Sequence, residues 1–355
     1  MDLGHPTTTL DDAETMAMRL VLPLAVLGAG AAEPAPPGRT VMAWVSTSID
    51  RWEQCASFLS SGGEAEGTVS AISTDNLYHF DPALGYDGML TTDAAAIAAH
   101  KRLWQQNFRT YPMIGLGGTG NISTLRPLLF NQTWQNTFIT FLVNEAVARD
   151  FDGINIDFEP GTDVVQPDNN PTARDALALA ELLSALGTRL HAANKTLSLD
   201  AMAVTGACWT KGEGHEGHPN LDLLPCPWIR RFCKSSATTP LVFLAFVAGA
   251  FLRGCVTTGD LSALSAVDTL DRIISMDTYT DNSTEFSVDM MQYHFFFPVK
   301  RFGLGLCPLG CGHAQPTSAC LESRIGHAVA YGATEIDLWS LWDSSASNWT
   351  GVSRL

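Results

Sequence analysis

The sequence predicts an α/β chain whose parallel strands close into a (β/α)8 TIM barrel, with an open doubly wound sheet as the alternative. Three observations lead there. From Thr40 onward, short β-rich runs alternate with stretches of helical periodicity, and eight such runs can be marked out. The chain has 355 residues, which suits a barrel of roughly 250 residues carrying insertions. Its composition is 46% hydrophobic, enough for a sizeable core.

Taken in order, residues 1–32 predict a leader. Met18-Arg19 precedes the apolar run Leu20 to Leu27, and small residues follow from Gly28 to Ala32, as a signal peptide requires. The polar stretch Met1 to Met16 is unusual before such a signal; a start at Met16 or Met18, or a gene-model artefact, would account for it. Residues 33–39, rich in proline, read as a linker, and 40–355 as the barrel. The strand candidates are Val41 to Val45, Thr68 to Ser73, Met113 to Leu116, Gly153 to Phe158, Thr196 to Met202, Arg272 to Met276, Phe302 to Leu306 and Glu335 to Leu341. Leu179, Leu182, Leu183, Leu186 and Leu190 recur at helical spacing, as do Trp134, Phe138, Phe141 and Leu142, so both sets are expected in the core. Residues 205–270, between the fifth and sixth strands, exceed a normal connection and read as an insertion. Within it, Pro240 to Leu252 is too short for a membrane-spanning helix; a buried helix or a retained intron would explain it.

A formal charge of -16 argues against nucleic acid and is compatible with a neutral polymer or with simple solubility. The even count of 8 cysteines suits disulfides, and Cys307, Cys311, His313 and Cys320 also permit a zinc-site reading. Sequons occur at Asn121, Asn131, Asn194, Asn282 and Asn348. With the leader, they predict a secretory-pathway protein, extracellular or lysosomal, and they outweigh the peroxisome-like ending Ser353-Arg354-Leu355. A monomer without cofactor or membrane span is expected.

The chemistry concentrates in Asp152-Gly153-Ile154-Asn155-Ile156-Asp157-Phe158-Glu159. In a strand, alternate side chains share a face, so Gly153, Asn155, Asp157 and Glu159 point one way and Ile154, Ile156 and Phe158 the other. The polar series then enters the barrel interior and ends at the strand's C-terminal end, where barrel enzymes keep their reacting groups. Two neighbouring buried carboxylates raise the pKa of one of them, as a general acid needs.

These residues resemble the signature D-G-x-D-x-D-x-E of glycoside hydrolase family 18, the chitinase family, on its fourth barrel strand. Asn155 stands where the family usually has its middle aspartate, which is similar to the di-N-acetylchitobiase branch. The resemblance implies a glycosidase that cleaves β-1,4-linked N-acetylglucosamine, in chitooligosaccharides or the chitobiose core of glycans, by a substrate-assisted retaining mechanism. It implies that Glu159 is the acid and base, and that Asp157 holds the substrate's acetamido group. Asn155 would hydrogen-bond Asp157 without adding charge, which predicts a pH–rate profile that Asn155→Asp alters. Trp339, in Asp337-Leu-Trp-Ser-Leu-Trp-Asp343, looks like the family's sugar-stacking tryptophan, with Trp342 a second platform or core. Met276-Asp277-Thr278-Tyr279 resembles the family's M-x-Y-D with one residue extra, which implies Tyr279 at the acetamido carbonyl and Asp277 beside it. Asp152 opens the motif and is carried with the substrate-binding set. Gly115-Leu-Gly-Gly118 resembles the third-strand S-x-G-G and reads as packing. A catalytically silent carbohydrate-binding protein on the same barrel is the alternative, because fold alone does not make an enzyme. The short link between the seventh and eighth strands leaves no room for an inserted α+β domain, which favours short oligosaccharides or glycan ends.

Overall fold

The computed structural model describes residues 40–45, 49–59, 69–84, 89–91, 97–98, 108–116, 122–158, 172–201, 264, 266–275, 293, 302–306, 324–326, 330, 333 and 335–339. The leader, the linker and residues 202–263 of the insertion region lie outside them.

Nine strands are described: β1 (Thr40–Val45), β2 (Ala71–Phe80), β3 (Met89–Thr91), β4 (Arg109–Leu116), β5 (Gly153–Asp157), β6 (Thr196–Ala201), β7 (Arg272–Ser275), β8 (Phe302–Leu306) and β9 (Glu335–Leu338). β1 pairs in parallel with β2 on one side and with β9 on the other. The remaining parallel pairings run β2–β4–β5–β6–β7–β8–β9, so the sheet returns to its start. This is a closed eight-stranded parallel barrel, and the open doubly wound alternative is excluded. β3 is antiparallel to β2 and stands outside the ring. The motif strand, fourth in the ring, is therefore β5; the sixth and eighth are β7 and β9.

Six ring strands fall closely on the runs that the apolar alternation marks out, and the second and third are displaced from theirs. The second strand runs to Phe80 instead of ending at Ser73, because its ladder with β4 survives a register shift between Thr74 and Tyr78. β4 starts at Arg109, four residues before the expected Met113. Pro112 interrupts the apolar pattern there, yet it keeps its place opposite Thr74. β9 ends at Leu338, but the Trp339 N–H still donates to the Leu306 carbonyl at 2.8 Å, extending the rung towards β8.

The helices described at length are α1 (Ile49–Leu59), α2 (Ile122–Leu129), α3 (Gln132–Ala148) and α4 (Ala173–Ala192). α3 begins at Asn131, whose Oδ1 accepts from the backbone N–H groups of Thr133 and Trp134. α4 begins with a reciprocal box: Thr172 accepts from Asp175 N–H, and the Asp175 carboxylate accepts from Thr172 N–H. The same carboxylate accepts two bonds from Arg126 at 3.0 Å each, which ties α2 to α4. Asn194 takes φ 58° after α4 and turns the chain into β6.

The expected leucines of α4 are all buried, together with Phe138 and Leu142 of α3, while Trp134 and Phe141 pack on the rim of that core. Ile154, Ile156 and Phe158 join them between sheet and helices, so the odd-numbered residues of β5 face the barrel axis. A second cluster, Met42, Trp44, Ala71, Tyr111, Met113 and Ile274, lies inside the ring. No helix among the described residues is long and apolar enough to cross a membrane. Asn131 and Asn194 are exposed; the other three sequons lie outside the described residues. Cys55 is buried in α1, and the other seven cysteines also lie outside.

Candidate active site

β5 can enter the interior because its first residue is glycine. A Cβ on Gly153 would come within 2.5 Å of the Thr196 carbonyl oxygen and 2.9 Å of the Tyr111 ring. Without that side chain, β4, β5 and β6 close up and carry the next inward residue, Asn155, to the centre of the ring.

Asn155 is fully buried and uses its whole amide. Its Oδ1 accepts from Trp44 Nε1 at 3.3 Å and from Ser73 Oγ at 3.1 Å. Its Nδ2 donates to Ser198 Oγ at 3.1 Å and to Asp200 Oδ1 at 2.9 Å. Two donors and two acceptors exhaust what an amide offers. The indole N–H is a donor only, so the oxygen must face Trp44 and the nitrogen must face β6. The expected bond from Asn155 to Asp157 is therefore not made, because both amide hydrogens are spent on the neighbouring strand.

Asp157 is the last residue of β5, half-buried at the C-terminal mouth, with its backbone opposite Gly115 of β4. Trp339 is half-buried just past the end of β9, so it too stands at a C-terminal strand end. Its ring meets Trp44 edge-on, centroids 5.8 Å apart at 66°. Trp339, Trp44, Asn155 and Asp200 thus form one contact chain across the interior beneath the mouth.

Asp152 belongs to the opposite end. Its Oδ2 accepts from Thr110 N–H at 2.7 Å, its own N–H donates to the Thr110 carbonyl, and its carbonyl accepts from Thr196 N–H. Five residues of strand, about 16 Å at 3.3 Å per residue, separate it from Asp157. Asp152 stitches β4, β5 and β6 together at the N-terminal face, where stability is set, and this corrects its assignment to substrate binding.

Sequence reasoning passed over a charged group near that end of the barrel. Arg272 of β7 forms an ion pair with Glu335 of β9 and lies over the Tyr111 ring, 4.4 Å from its centroid. Asp337, two residues along β9, is fully buried; burial first, and then the charge of Glu335, push its carboxyl well above the usual range. Gly303 makes room for it, since a Cβ there would lie 2.3 Å from Asp337 Oδ2. A period-two signal was available for Asp200, because Thr196, Ser198 and Asp200 alternate with Leu197 and Leu199. Glu159, Tyr279, Asp277 and Trp342 lie outside the described residues.

No known family model matches the chain. No curated protein sequence matches it either. Solved structures do. A chitinase from Chromobacterium violaceum superposes with a TM-score of 0.61 over 89% of this chain and 98% of its own, at 14% identity. The spore cortex-lytic enzyme SleL of Bacillus cereus follows at 0.60, covering 89% of this chain and 74% of its own, at 12% identity. A mutant catalytic domain 2 of the Ostrinia furnacalis Group II chitinase, in complex with penta-N-acetylchitooctaose, (NAG)5, gives 0.58 over 89% and 96%, at 12% identity. At such identities the likeness defines the class of fold: the chain has a (β/α)8 barrel of the kind these proteins share.

Proposed function

We propose that the protein is a glycoside hydrolase that cleaves β-1,4-linked N-acetylglucosamine in short chitooligosaccharides or the chitobiose core of glycans, nearest in character to the chitobiase branch. One observation carries this reading. Asp157 stands at the C-terminal mouth of a closed barrel, on the inward face of its strand and two residues before Glu159. The oligosaccharide held by the Ostrinia domain supports the ligand class.

In this scheme Glu159 gives its proton to the glycosidic oxygen while the substrate's acetamido oxygen attacks the anomeric carbon. The carbon–oxygen bond to the leaving sugar breaks and an oxazolinium forms. Asp157 accepts the acetamido N–H and balances the positive charge. Water then adds at the anomeric carbon while Glu159 takes up a proton from that water. The bond from the anomeric carbon to the acetamido oxygen breaks to regenerate the acetamido group, and the configuration is retained. Trp339 supplies an apolar face for the sugar ring, and Tyr279, with Asp277, supports the acetamido carbonyl. The leader and the sequons support placing the protein in the secretory pathway.

Hydrolysis of fluorogenic chitooligosaccharides of two to four sugars, by wild type and Glu159→Gln, tests the proposal. Loss of general acid–base catalysis is expected to cost at least about 100-fold in kcat. Sugar binding without turnover in either protein overturns the hydrolase reading in favour of a carbohydrate-binding protein.

A further inference from the structure

We propose that Asp200 is a positioning residue of this site, acting through Asn155; the activity readout rests on the hydrolase reading above. Asp200 lies on β6, is 1% exposed, and accepts the Asn155 amide at 2.9 Å. It has no counterpart in the motif that draws attention to β5.

Proton counting makes the pairing specific. Asn155 must present its oxygen to Trp44 and Ser73, because Trp44 Nε1 can only donate. Its nitrogen then meets two acceptors on β6, Ser198 Oγ and Asp200 Oδ1. An aspartate at 155 would set a carboxyl oxygen 2.9 Å from Asp200 Oδ1, and the two would have to share a proton or repel each other. The amide hydrogen takes the place of that shared proton permanently. Asp200 and Asn155 are thus matched as acceptor and donor, and exchanging both restores the match: an aspartate at 155 accepts from Trp44, Ser73 and an asparagine at 200.

The consequence for the mouth follows from the strand. Asn155 and Asp157 share a face two residues apart, so the orientation of the amide sets the polar floor directly below Asp157. While Asp200 engages the amide, Asn155 makes no bond to Asp157 and does not draw its carboxylate down into the barrel.

Three variants test this on chitooligosaccharides: Asn155→Asp, Asp200→Leu, and the double exchange Asn155→Asp with Asp200→Asn. Each single change is expected to lower kcat at least tenfold with KM within twofold, and to lower Tm. The double exchange is expected to recover kcat to within about threefold of wild type, and Tm with it, which a role limited to filling space does not predict. A double variant no better than Asn155→Asp, or a folded Asp200→Leu with wild-type kcat, overturns the proposal. If a single variant fails to fold, recovery of fold and turnover in the double exchange still decides it. If the wild type turns nothing over, the hydrolase reading falls by itself, and the affinity of the four proteins for the N-acetylglucosamine pentamer reads the positioning instead.

Discussion

The ring of Trp339 meets the ring of Trp44 edge-on, and the Trp44 indole N–H donates to Asn155 Oδ1. A residue at the mouth of β9 is therefore held by one from β1 that also fixes the buried amide of β5. Edge-to-face aromatic pairs contribute about 0.5–1.5 kcal/mol beyond area burial. The two tryptophans should separate in their effects. Trp339→Ala is expected to raise KM for chitooligosaccharides at least tenfold, with only a modest fall in Tm. Trp44→Phe keeps the aromatic contact but removes a buried donor, at a cost of about 1 kcal/mol in urea unfolding. Equal KM values for Trp339→Ala and wild type would remove Trp339 from the substrate surface.

Asp157→Asn tests the electrostatic half of the mechanism. The substitution is isosteric and leaves the strand pairing to Gly115 untouched, so the fold should hold. Losing a preorganised charge at the reacting centre typically costs about 100-fold or more in kcat. A variant with wild-type kcat would exclude Asp157 from stabilising the intermediate.

The ion pair between Arg272 and Glu335 makes a stability prediction that does not depend on activity. Arg272→Met leaves Glu335 buried without its counter-charge and is expected to cost about 3–5 kcal/mol in denaturant unfolding. Replacing both, as Arg272→Met with Glu335→Leu, should recover most of that loss, because a buried pair stabilises little against apolar residues of similar size. A single variant as stable as wild type would exclude a stabilising role for the pair.

Two carboxyl groups predict opposite limbs of the stability–pH curve. Burial works to raise Asp175, but the bonds from Arg126 and Thr172 outweigh it, so its folded pKa lies below the ordinary value. Its contribution is present above the unfolded carboxylate pKa, about 3.9, and is lost as pH falls through the lower folded value. Asp337 is displaced upward, so the folded state binds its proton more tightly than the unfolded chain does. Its contribution is full below the unfolded pKa and is lost as pH rises through the folded value. Thermal unfolding of Arg126→Gln should therefore show a weaker acid-side decline, and Asp337→Asn a weaker decline as pH rises above the ordinary carboxylate range. Unchanged slopes in either variant would contradict the assigned charge states.

Much of the barrel was legible because its signals are local. Phe302–Leu306 is a continuous buried run and was delimited to the residue, while the leucines of α4 announce their own buried stripe. The motif also told its own orientation, since isoleucines at 154 and 156 can only face the helix layer once Asn155 faces the axis. Where local pattern and pairing disagree, the edges shifted: at Pro112 in β4, and in β2 beyond the Thr74 register break. Asp152 misled because a motif is contiguous in sequence although its strand spans the barrel from one face to the other.

The sequence by itself determined the α/β strand–helix alternation, the inward series Gly153, Asn155 and Asp157, and the end of β5 at which any chemistry must sit, while the closure of the ring was left to the tertiary structure. These follow from periodicity and strand direction, which neighbouring residues encode. Only the tertiary structure decided that Asn155 is engaged by Trp44, Ser73, Ser198 and Asp200, and that Arg272 is matched to Glu335. Those partners lie between 43 and 111 residues apart along the chain. Ring closure alone brings them together, and a buried hydrogen bond is specified by that meeting rather than by either residue's local surroundings.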